Sequence, residues 1–475
     1  MRFSVRSRLG LALSFMAVLA LCLTLLFSTR SGANAASSPI IKTSVNSGPP
    51  TTALIVTGKN FGLNESVNID FDTTLVGTTT TDATGAFSVS VKVPRAALPG
   101  SHTFKAVGQT SKLSATAPFT VQTQWITFGF DQHRAHYNPY ENIITHANVS
   151  ALVQDWSYTT GGAVSSSPAV VSGVLYAGSS DGKLYALNAT TGALLWSATT
   201  GGAITSSPIF DSGMIFVGSA DGKLYAFNKA GTQVWTFTTS GAITASPLAA
   251  GGVVYVGSTD GNLYAISEST GTAAWSAPFA TGGPINSSAA ISAGILYVGS
   301  NDGKLYAITA STGAAYWTTP FATGGPITSS PAVFNNAVYV GSQDDNLYSV
   351  NATSGVQNWK HLVGAAIDSS PAVFNNAVYV GAADKKVHAF KVGKGAGLWT
   401  YATGDVVASS PSVANTVLYV GSNDGKLYAL KASLGTFLWS YTTGAAVSSS
   451  PAIANGIVYV GSNDGKLYAF HLPTA

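Results

Sequence analysis

The sequence predicts an all-β protein, and its low charge, its many glycines and an internal repeat support this class. Of 475 residues, 9% are charged, 46% are hydrophobic and 51 are glycine. An ordinary soluble domain is about 25% charged, and a helical, coiled-coil or disordered chain would be expected to have a different composition. The chain is longer than one hydrophobic core of ordinary size can accommodate, so two or three domains are expected. A formal net charge of +3 argues against nucleic-acid binding through bulk charge.

The first 35 residues have the order of a secretory signal. Three arginines precede an apolar run over residues 9–27, and Ala33-Asn34-Ala35 fits a small-x-small cleavage site. The apolar run is also long enough to span a membrane if it is not cleaved. We predict an exported protein, extracellular, cell-surface or periplasmic, whose membrane contact is limited to this segment. Cleavage would remove Cys22, the only cysteine, and with it any disulfide or thiol ligand.

Residues 38–123 are predicted to form a small β-sandwich. Apolar and polar residues alternate in runs such as 67–71 and 87–91, and turn signals such as Asp82-Ala83-Thr84-Gly85 separate them. Residues 56–62, with the sequence VTGKNFG, resemble bacterial immunoglobulin-like modules of the IPT/TIG type. This resemblance implies either adhesion or a spacer that holds the next domain away from the membrane or wall.

Residues 156–475 contain a repeat of about 40 residues. An Asp-Gly-Lys-Leu-Tyr hairpin, or a close variant, recurs eight times at intervals of 39 to 42 residues. Four short strands per period of this length are typical of a β-propeller. We interpret the hairpin aspartate as a turn former that bonds its own backbone, and a Ca²⁺ loop is the alternative. The aspartates are Asp181, Asp221, Asp260, Asp302, Asp344, Asp384, Asp424 and Asp464.

The tryptophans of the repeat are out of phase with the hairpins. Trp156 precedes the first hairpin, and no tryptophan follows the last one, near Tyr468. We therefore predict an eight-bladed β-propeller of four-stranded blades, in which the Trp156 strand completes the last blade. Such an exchange would close the ring non-covalently and leave no open sheet edge at the seam.

Residues 186–196, with the sequence ALNATTGALLW, resemble the tryptophan-docking motif of pyrroloquinoline quinone (PQQ) type propellers. Thr312-Gly313 followed by Trp317 repeats the pattern. The resemblance implies that tryptophans lock adjacent blades. The same architecture serves quinoprotein dehydrogenases and the non-catalytic BamB barrel-assembly lipoproteins. The residues predicted to dock are Trp156, Trp196, Trp235, Trp275, Trp317, Trp359, Trp399 and Trp439.

The resemblance also directs attention to the propeller axis, where dehydrogenases of the family hold PQQ over a Ca²⁺ or lanthanide ion. A hard cation needs several convergent oxygens. The strand starts predicted to face the channel contain one carboxylate, Asp368, with Asp405 a few residues before another start. We predict no catalytic residue, metal ligand or cofactor, with PQQ and Ca²⁺ as the alternative. The candidate ligand-binding residues at the channel mouth are Asp368, Asp405, Asn286, Ser207 and Ser330.

The sixth blade departs from the repeat through a basic cluster. Lys385, Lys386, Lys391 and Lys394 belong to this blade, and Lys360 lies on the preceding one. Because the chain has so few charges, these lysines are candidate contacts for a partner or an anionic surface. Sequence drift on a solvated edge is the alternative.

The predicted domain plan is a signal segment (1–35), an immunoglobulin-like sandwich (38–123), a linker (124–155) and the propeller (156–475). In the linker, His133 and His136 are either a metal pair or packing residues. The predicted function is a monomeric, non-catalytic scaffold that binds a protein or cell-surface partner. The alternatives are a PQQ-dependent alcohol or sugar dehydrogenase and a carbohydrate-binding surface module.

Overall fold

The computed structural model describes residues 37–473, so the predicted signal segment and its cysteine lie outside the described residues. The described chain contains 41 strands and one short 3-10 helix, η1 (Val149–Ala151), which confirms the all-β class. No helix in this part of the chain is long and apolar enough to cross a membrane. The chain divides into two compact units, and the second includes Thr120–Ala475.

The first unit is built on two sheets, one with the strand order β1-β3-β6 and one that contains β8-β7-β4-β5, whereas the short strand β2 falls in the second unit. Strand β3 alternates between exposed and buried residues and places Leu54 and Val56 in the core. Phe104 packs edge to face against Phe71 and Phe119, with ring centroids 5.0 and 5.5 Å apart. The alternation of apolar and polar residues in this segment therefore reflects strands that bury one face and expose the other. The strands are β1 (Ile40–Thr43), β2 (Ser47–Gly48), β3 (Ala53–Lys59), β4 (Ser66–Phe71), β5 (Thr74–Thr80), β6 (Phe87–Lys92), β7 (Gly100–Gly108) and β8 (Ser114–Val121).

The second unit contains eight antiparallel four-stranded sheets, which we number as blades in chain order. Blades 1 to 7 each use consecutive strands, from the innermost strand outward. Blade 8 takes its outermost strand, β10 (Val153–Thr159), from the start of the unit, and β10 pairs with β41 so that Trp156 lies opposite Ala469. The ring therefore closes as the phase of the tryptophans predicts. Blade 7 gains a fifth strand, β9 (Tyr137–Asn138), at its inner edge.

The second strand of each blade is almost completely buried, because each blade is covered by a neighbour on both faces, and the innermost strands are buried or partly buried. Successive innermost strands also contact one another around the axis. The innermost and second strands are β11 (Ala169–Val171), β12 (Val174–Gly178), β15 (Ile209–Asp211), β16 (Met214–Gly218), β19 (Leu248–Ala250), β20 (Val253–Gly257), β23 (Ala290–Ser292), β24 (Ile295–Gly299), β27 (Ala332–Phe334), β28 (Ala337–Gly341), β31 (Ala372–Phe374), β32 (Ala377–Gly381), β35 (Ser412–Ala414), β36 (Val417–Gly421), β39 (Ala452–Ala454) and β40 (Ile457–Gly461).

The outer half of each blade consists of the third strand, which follows the Asp-Gly turn, and the outermost strand, in the region of the tryptophan. The third strands are largely buried, whereas the outermost strands expose much of their length. The third and outermost strands are β13 (Lys183–Asn188), β14 (Leu194–Thr199), β17 (Lys223–Asn228), β18 (Gln233–Thr238), β21 (Asn262–Ser267), β22 (Phe279–Ala280), β25 (Lys304–Thr309), β26 (Phe321–Ala322), β29 (Asn346–Asn351), β30 (Gln357–Leu362), β33 (Lys386–Lys391), β34 (Gly397–Ala402), β37 (Lys426–Lys431), β38 (Phe437–Thr442) and β41 (Lys466–His471).

Blades 3 and 4 differ from the predicted pattern at their outer edge. Trp275 and Trp317 were expected in regular strands, but the outermost strands here shrink to the two-residue strands β22 and β26. Pro278 and Pro320 stand directly before them. A proline has no N–H for the sheet ladder, so the regular strand begins only after it.

The tryptophans connect each blade to the next around the whole ring. Each indole Nε1 donates a hydrogen bond of 2.7 to 3.2 Å to a backbone carbonyl of the following blade. Trp439 of blade 7 donates to Leu152, which leads into β10 of blade 8. In blade 1, Gly192 lies beneath the Trp156 ring with a φ of +71°. Glycine is required there because the backbone is left-handed and the indole leaves no room for a Cβ.

Substitution of Gly192 by alanine should therefore destabilise the seam between blades 8 and 1. A Cβ at this position would lie 2.6 Å from the Trp156 ring, whereas Gly173, with a φ of +79°, has nothing within 4 Å of its Cβ position. Both substitutions introduce a left-handed alanine, but only Gly192→Ala adds overpacking, which costs about 1–3 kcal/mol. Urea unfolding followed by tryptophan fluorescence should show the larger loss for Gly192→Ala. Equal losses in the two variants would contradict the proposed docking contact.

Candidate functional site

A closed ring of serines surrounds the propeller axis. The backbone N–H of one serine in each blade donates to the Oγ of its counterpart in the next blade, at 2.8 to 3.0 Å. The ring closes where the last serine donates to the first. Its members are Ser167, Ser207, Ser246, Ser288, Ser330, Ser370, Ser410 and Ser450.

Ser207 and Ser330, two of the predicted ligand-binding residues, belong to this ring. Both are 5% exposed, and their hydroxyl oxygens accept the N–H groups of Ser167 and Ser288. Both hydroxyls therefore connect adjacent blades, and the ligand-binding role predicted for them stays a prediction. A serine at a strand start has the same sequence pattern whether it faces solvent or the next blade.

The predicted linker contains a strap, residues 125–138, that follows the inner edge of the ring. Sequence reasoning missed this segment, because its bonds are to residues far away in the chain. Its hydrogen bonds satisfy groups on inner strand edges that would otherwise be unpaired. Backbone or side-chain bonds join Trp125 to Val170, Ile126 to Phe210, Gln132 to Ala249 and Ile291, His133 to Val333, Ala135 to Val373, His136 to Val413 and Asn138 to Ile453. Every blade is thus attached to the strap.

Arg134 places a buried positive charge on the inner face of the strap. Its side chain is fully buried, and Nε donates to the carbonyl of Ala289. Nη1 donates to Phe128 at 2.8 Å, and Nη2 donates to Pro247 at 3.1 Å and Ser246 at 3.3 Å. Burial lowers the pKa of Arg134 to about 9, so the guanidinium stays charged at neutral pH. Backbone carbonyls therefore solvate this cation in place of water.

The two histidines of the strap lie in different environments. His136 is fully buried and lies edge-on to Phe128, with ring centroids 4.7 Å apart. His133 is exposed, and its Nδ1 lies 3.7 Å from Asp131. Within residues 37–473, no three His, Cys, Asp or Glu side chains are grouped as metal ligands. Of the two interpretations offered for the linker histidines, the environment of His136 is that of a packing residue.

His136 is buried without hydrogen bonds to its ring. Neither ring nitrogen has a partner among the described residues. Burial lowers the pKa of His136 to about 3, and the charge of Arg134 acts in the same direction while that of Asp131 opposes it. The ring is therefore neutral at physiological pH, next to a permanent cation.

The remaining predicted channel residues are engaged with neighbouring side chains. Asp368 accepts hydrogen bonds from Thr328 Oγ1 at 2.6 Å and from Gln343 Nε2 at 2.9 Å. Asp405 forms an ion pair with Lys385 at 3.2 Å. The Asn286 carbonyl oxygen accepts from a threonine hydroxyl at 2.8 Å. The hydrogen bonds and the ion pair of these three residues belong to separate local networks.

The structure does not fit PQQ with a divalent cation on the axis. A hard cation requires several convergent oxygens, usually including carboxylates. Asp368 is the one carboxylate among the strand starts, and two donors already use one of its oxygens. The strap in addition brings the charged Arg134 side chain to the inner strands. No catalytic step through that cofactor follows from these residues.

The hairpin aspartates serve the turns that contain them. Asp181 Oδ1 accepts from the backbone N–H of Lys183 at 2.9 Å, and Oδ2 accepts from Tyr185 at 2.6 Å and Gly161 at 2.8 Å. Burial raises the pKa of Asp181, but these hydrogen bonds outweigh it and hold the pKa below its usual value. The carboxylate therefore fixes the turn. In blade 6, His388 takes the place of the tyrosine and contacts Asp384 at 3.1 Å.

The predicted basic cluster does not come together as one patch. Lys386 begins β33 and pairs with Asp384 at 3.2 Å, and Lys385 pairs with Asp405 at the same end. Lys391 ends β33, so the rise of the strand separates the two ends by roughly 17 Å. Lys394 follows in the connection to β34. Lys360 is exposed in β30, directly after Trp359, whose indole docks on this same connection.

Comparisons with known proteins agree with this architecture. The family model described as outer membrane protein assembly factor BamB matches residues 146–289, 280–407 and 383–474. The crystal structure of BamB from Moraxella catarrhalis is 22% identical and has a TM-score of 0.59, covering 67% of this chain and 99% of that one. The quinohemoprotein alcohol dehydrogenase from Comamonas testosteroni is 17% identical, with a TM-score of 0.65 and coverages of 74% and 82%.

The other comparisons add fold information alone. A europium-containing methanol dehydrogenase is 15% identical, with a TM-score of 0.63, and covers 74% of this chain and 98% of its own. No curated protein sequence matches the chain. These identities show a PQQ-type propeller and do not distinguish a catalytic from a non-catalytic role, because one fold hosts many functions.

The buried His136 should make stability depend on pH in a defined window. An unfolded histidine takes up a proton near pH 6.5, whereas folding lowers the pKa of His136 to about 3. The stabilising effect is complete above pH 6.5 and is lost as the pH falls, by up to about 1.4 kcal/mol per pH unit. Between pH 6.5 and 4.5, His136→Phe should therefore flatten the fall in the free energy of unfolding, measured by urea denaturation.

His133→Gln is the matched control on the same strap. The neighbouring Asp131 carboxylate raises the pKa of His133, so the contribution of His133 to stability is present at low pH and is lost as the pH rises. This variant should not flatten the acid-side slope. The assignment of the slope to His136 fails if both variants give the wild-type slope.

Proposed function

We propose that this chain, which belongs to the BamB family of PQQ-type β-propellers, is an exported, non-catalytic scaffold that binds a protein partner in the cell envelope. Export rests on the predicted signal segment. The envelope location and the protein partner are inferred from the family, whose description names an outer membrane protein assembly factor.

The main support for a non-catalytic role comes from the strap. Its hydrogen bonds reach every innermost strand, and Arg134 is saturated by backbone carbonyls. The inner end of each blade is therefore used for ring assembly. Within residues 37–473, no group of three His, Cys, Asp or Glu side chains is placed to hold the cation that such a cofactor would need at the axis. Binding is then left to the outer surfaces, where the blades differ from one another.

Blade 6 offers the surface most distinct from the other blades. Lys385 and Lys386 are held in ion pairs with aspartates. No ion pair involves Lys360, Lys391 or Lys394 within residues 37–473, and all three side chains are exposed. We take these three lysines, on either side of the Trp359 docking contact, as the partner-binding surface. Exposed charges of this kind act mainly on the association rate and its salt dependence.

Charge reversal should test this surface directly. A photo-crosslinking residue placed at position 394 of the full-length chain in its source cells would identify the partner by mass spectrometry. The double variant Lys391→Glu, Lys394→Glu should then weaken binding of the purified partner by about fivefold or more at low salt, with less difference at high salt. Reversal of Lys385 or Lys386 is less informative, because it would place like charges beside Asp405 or Asp384.

Lys431→Glu is the matched control for Lys391→Glu, because Lys431 ends the equivalent strand of blade 7. It should leave partner binding within about twofold of the wild type, as expected for a charge outside the interface. Equal effects of Lys391→Glu and Lys431→Glu would remove blade 6 as the binding surface. If no protein is crosslinked at position 394, the proposed scaffold role is wrong.

The dehydrogenase alternative makes the opposite prediction for added cofactor. Saturating PQQ with Ca²⁺ at about 100 times its Kd would stabilise a true holoenzyme by about 2.7 kcal/mol. We expect no change in melting temperature, no tryptophan quenching and no dye-linked alcohol oxidation, because the axial residues do not supply the ligands. A cofactor-dependent shift accompanied by alcohol oxidation would restore the enzyme.

A further inference from the structure

A cavity of about 380 Å³ opens on the face of the strap that points away from the buried arginine. Its walls come from the strap and from the ends of the inner strands of blades 4 to 6. Aromatic rings of Phe130, Tyr137, Tyr140 and Phe334 form the apolar part. The volume lies within the usual range for small-molecule sites, about 300–1,000 Å³. Neither the channel residues nor the lysines discussed above belong to it.

The alternation of the strap explains why the cavity forms. Arg134 and His136 are buried, whereas His133, Ala135 and Tyr137 between and beside them are not. Arg134 and His136 have left-handed backbone, with φ values of +54° and +51°, so this part of the strap is not a regular strand. Its burial nevertheless alternates, and the backbone that covers the inner strands presents a second set of side chains outward. Tyr137 is further fixed by Phe374, with ring centroids 4.6 Å apart.

The polar part of the cavity consists of amides and one carboxylate–histidine pair. Asn335 and Asn336 form the turn after β27 with φ values of +48° and +58°. Asn336 Oδ1 accepts from Thr353 at 3.0 Å, while the Asn335 amide has no hydrogen-bond partner among the described residues. Asp131 accepts the backbone N–H of His133 at 2.9 Å. At the rim of an aromatic wall, asparagine amides can donate to and accept from hydroxyl groups, and a carboxylate can accept from them.

We propose that this cavity binds a neutral saccharide of one or two rings. The aromatic side chains suit the apolar C–H face of a sugar ring, and the asparagines and Asp131 suit its hydroxyls. An anionic ligand is disfavoured, because no Lys or Arg lines the cavity and His133 is already paired with Asp131. This inference goes beyond the proposed scaffold role and does not depend on it.

Blade 6 provides a matched control for the key asparagine. Residues 331–341 and 371–381 have the same sequence, PAVFNNAVYVG, and Asn375 has a φ of +45° where Asn335 has +48°. Asn335→Gly and Asn375→Gly therefore remove the same side chain from the same turn, and glycine tolerates the left-handed backbone at both positions. Only Asn335 lines the cavity.

Isothermal titration calorimetry of the full chain would test the proposal. The neutral probes are cellobiose, maltose and N,N′-diacetylchitobiose, and glucose 6-phosphate is the anionic probe, compared with glucose. We expect at least one neutral disaccharide to bind at millimolar concentration and glucose 6-phosphate to bind no better than glucose. Asn335→Gly should weaken the binding by about fivefold, consistent with loss of one hydrogen bond. Tyr140→Ala should also weaken it, and Asn375→Gly should stay within about twofold of the wild type.

Three results would overturn the saccharide site. They are no binding of any neutral disaccharide, preference for the phosphorylated sugar, and equal effects of Asn335→Gly and Asn375→Gly. Each leaves the lysine surface untouched, because that surface is measured with a protein partner. Failure of this inference is therefore distinguishable from failure of the scaffold role.

Discussion

Closure of a ring without a covalent bond is the constraint on which the second unit depends. The described residues contain no cysteine, so hydrogen bonds and packing must hold the two ends of the unit together. Several connections cross this seam, among them the pairing of β10 with β41, the Trp439 bond to Leu152, and the Ser450 bond to Ser167. A sheet edge left open at this point would be a site of unwanted strand pairing, and the exchanged strand removes it.

The strap extends the same solution to the inner edges of the blades. Innermost strands of only three residues leave backbone groups facing the axis, and the strap satisfies them one blade after another. Arg134 and His136 are the side chains that this arrangement buries, and each is stable there for a different reason. Arg134 keeps its charge because carbonyls surround it, and His136 avoids the cost of a buried charge by remaining neutral.

Departures from the repeat show how much change the docking contacts tolerate. Blade 6 replaces the hairpin tyrosine by His388 and adds lysines, yet Asp384 still closes the turn through a different partner. Blades 3 and 4 replace the regular outer strand by a proline-interrupted segment, yet Trp275 and Trp317 still reach the next blade. The docking contacts therefore tolerate large changes in the outer chain. The turns that contain Asn335 in blade 5 and Asn375 in blade 6 show the opposite case. Their sequences are identical, yet only Asn335 lines the aromatic cavity.

The sequence by itself determined the all-β class, the number and phase of the repeats, and the strand that closes the ring. These follow from local periodicity, because hairpin turns and alternating apolar residues are written in consecutive positions. Only the tertiary structure decided that Ser207 and Ser330 join blades, that the lysines separate to opposite ends of β33, and that residues 125–138 form a strap. The partners in these cases lie tens to hundreds of residues apart, as with Trp125 and Val170 or Asn138 and Ile453. Such contacts depend on how the blades are arranged about the axis, and no local pattern of residue types encodes that arrangement.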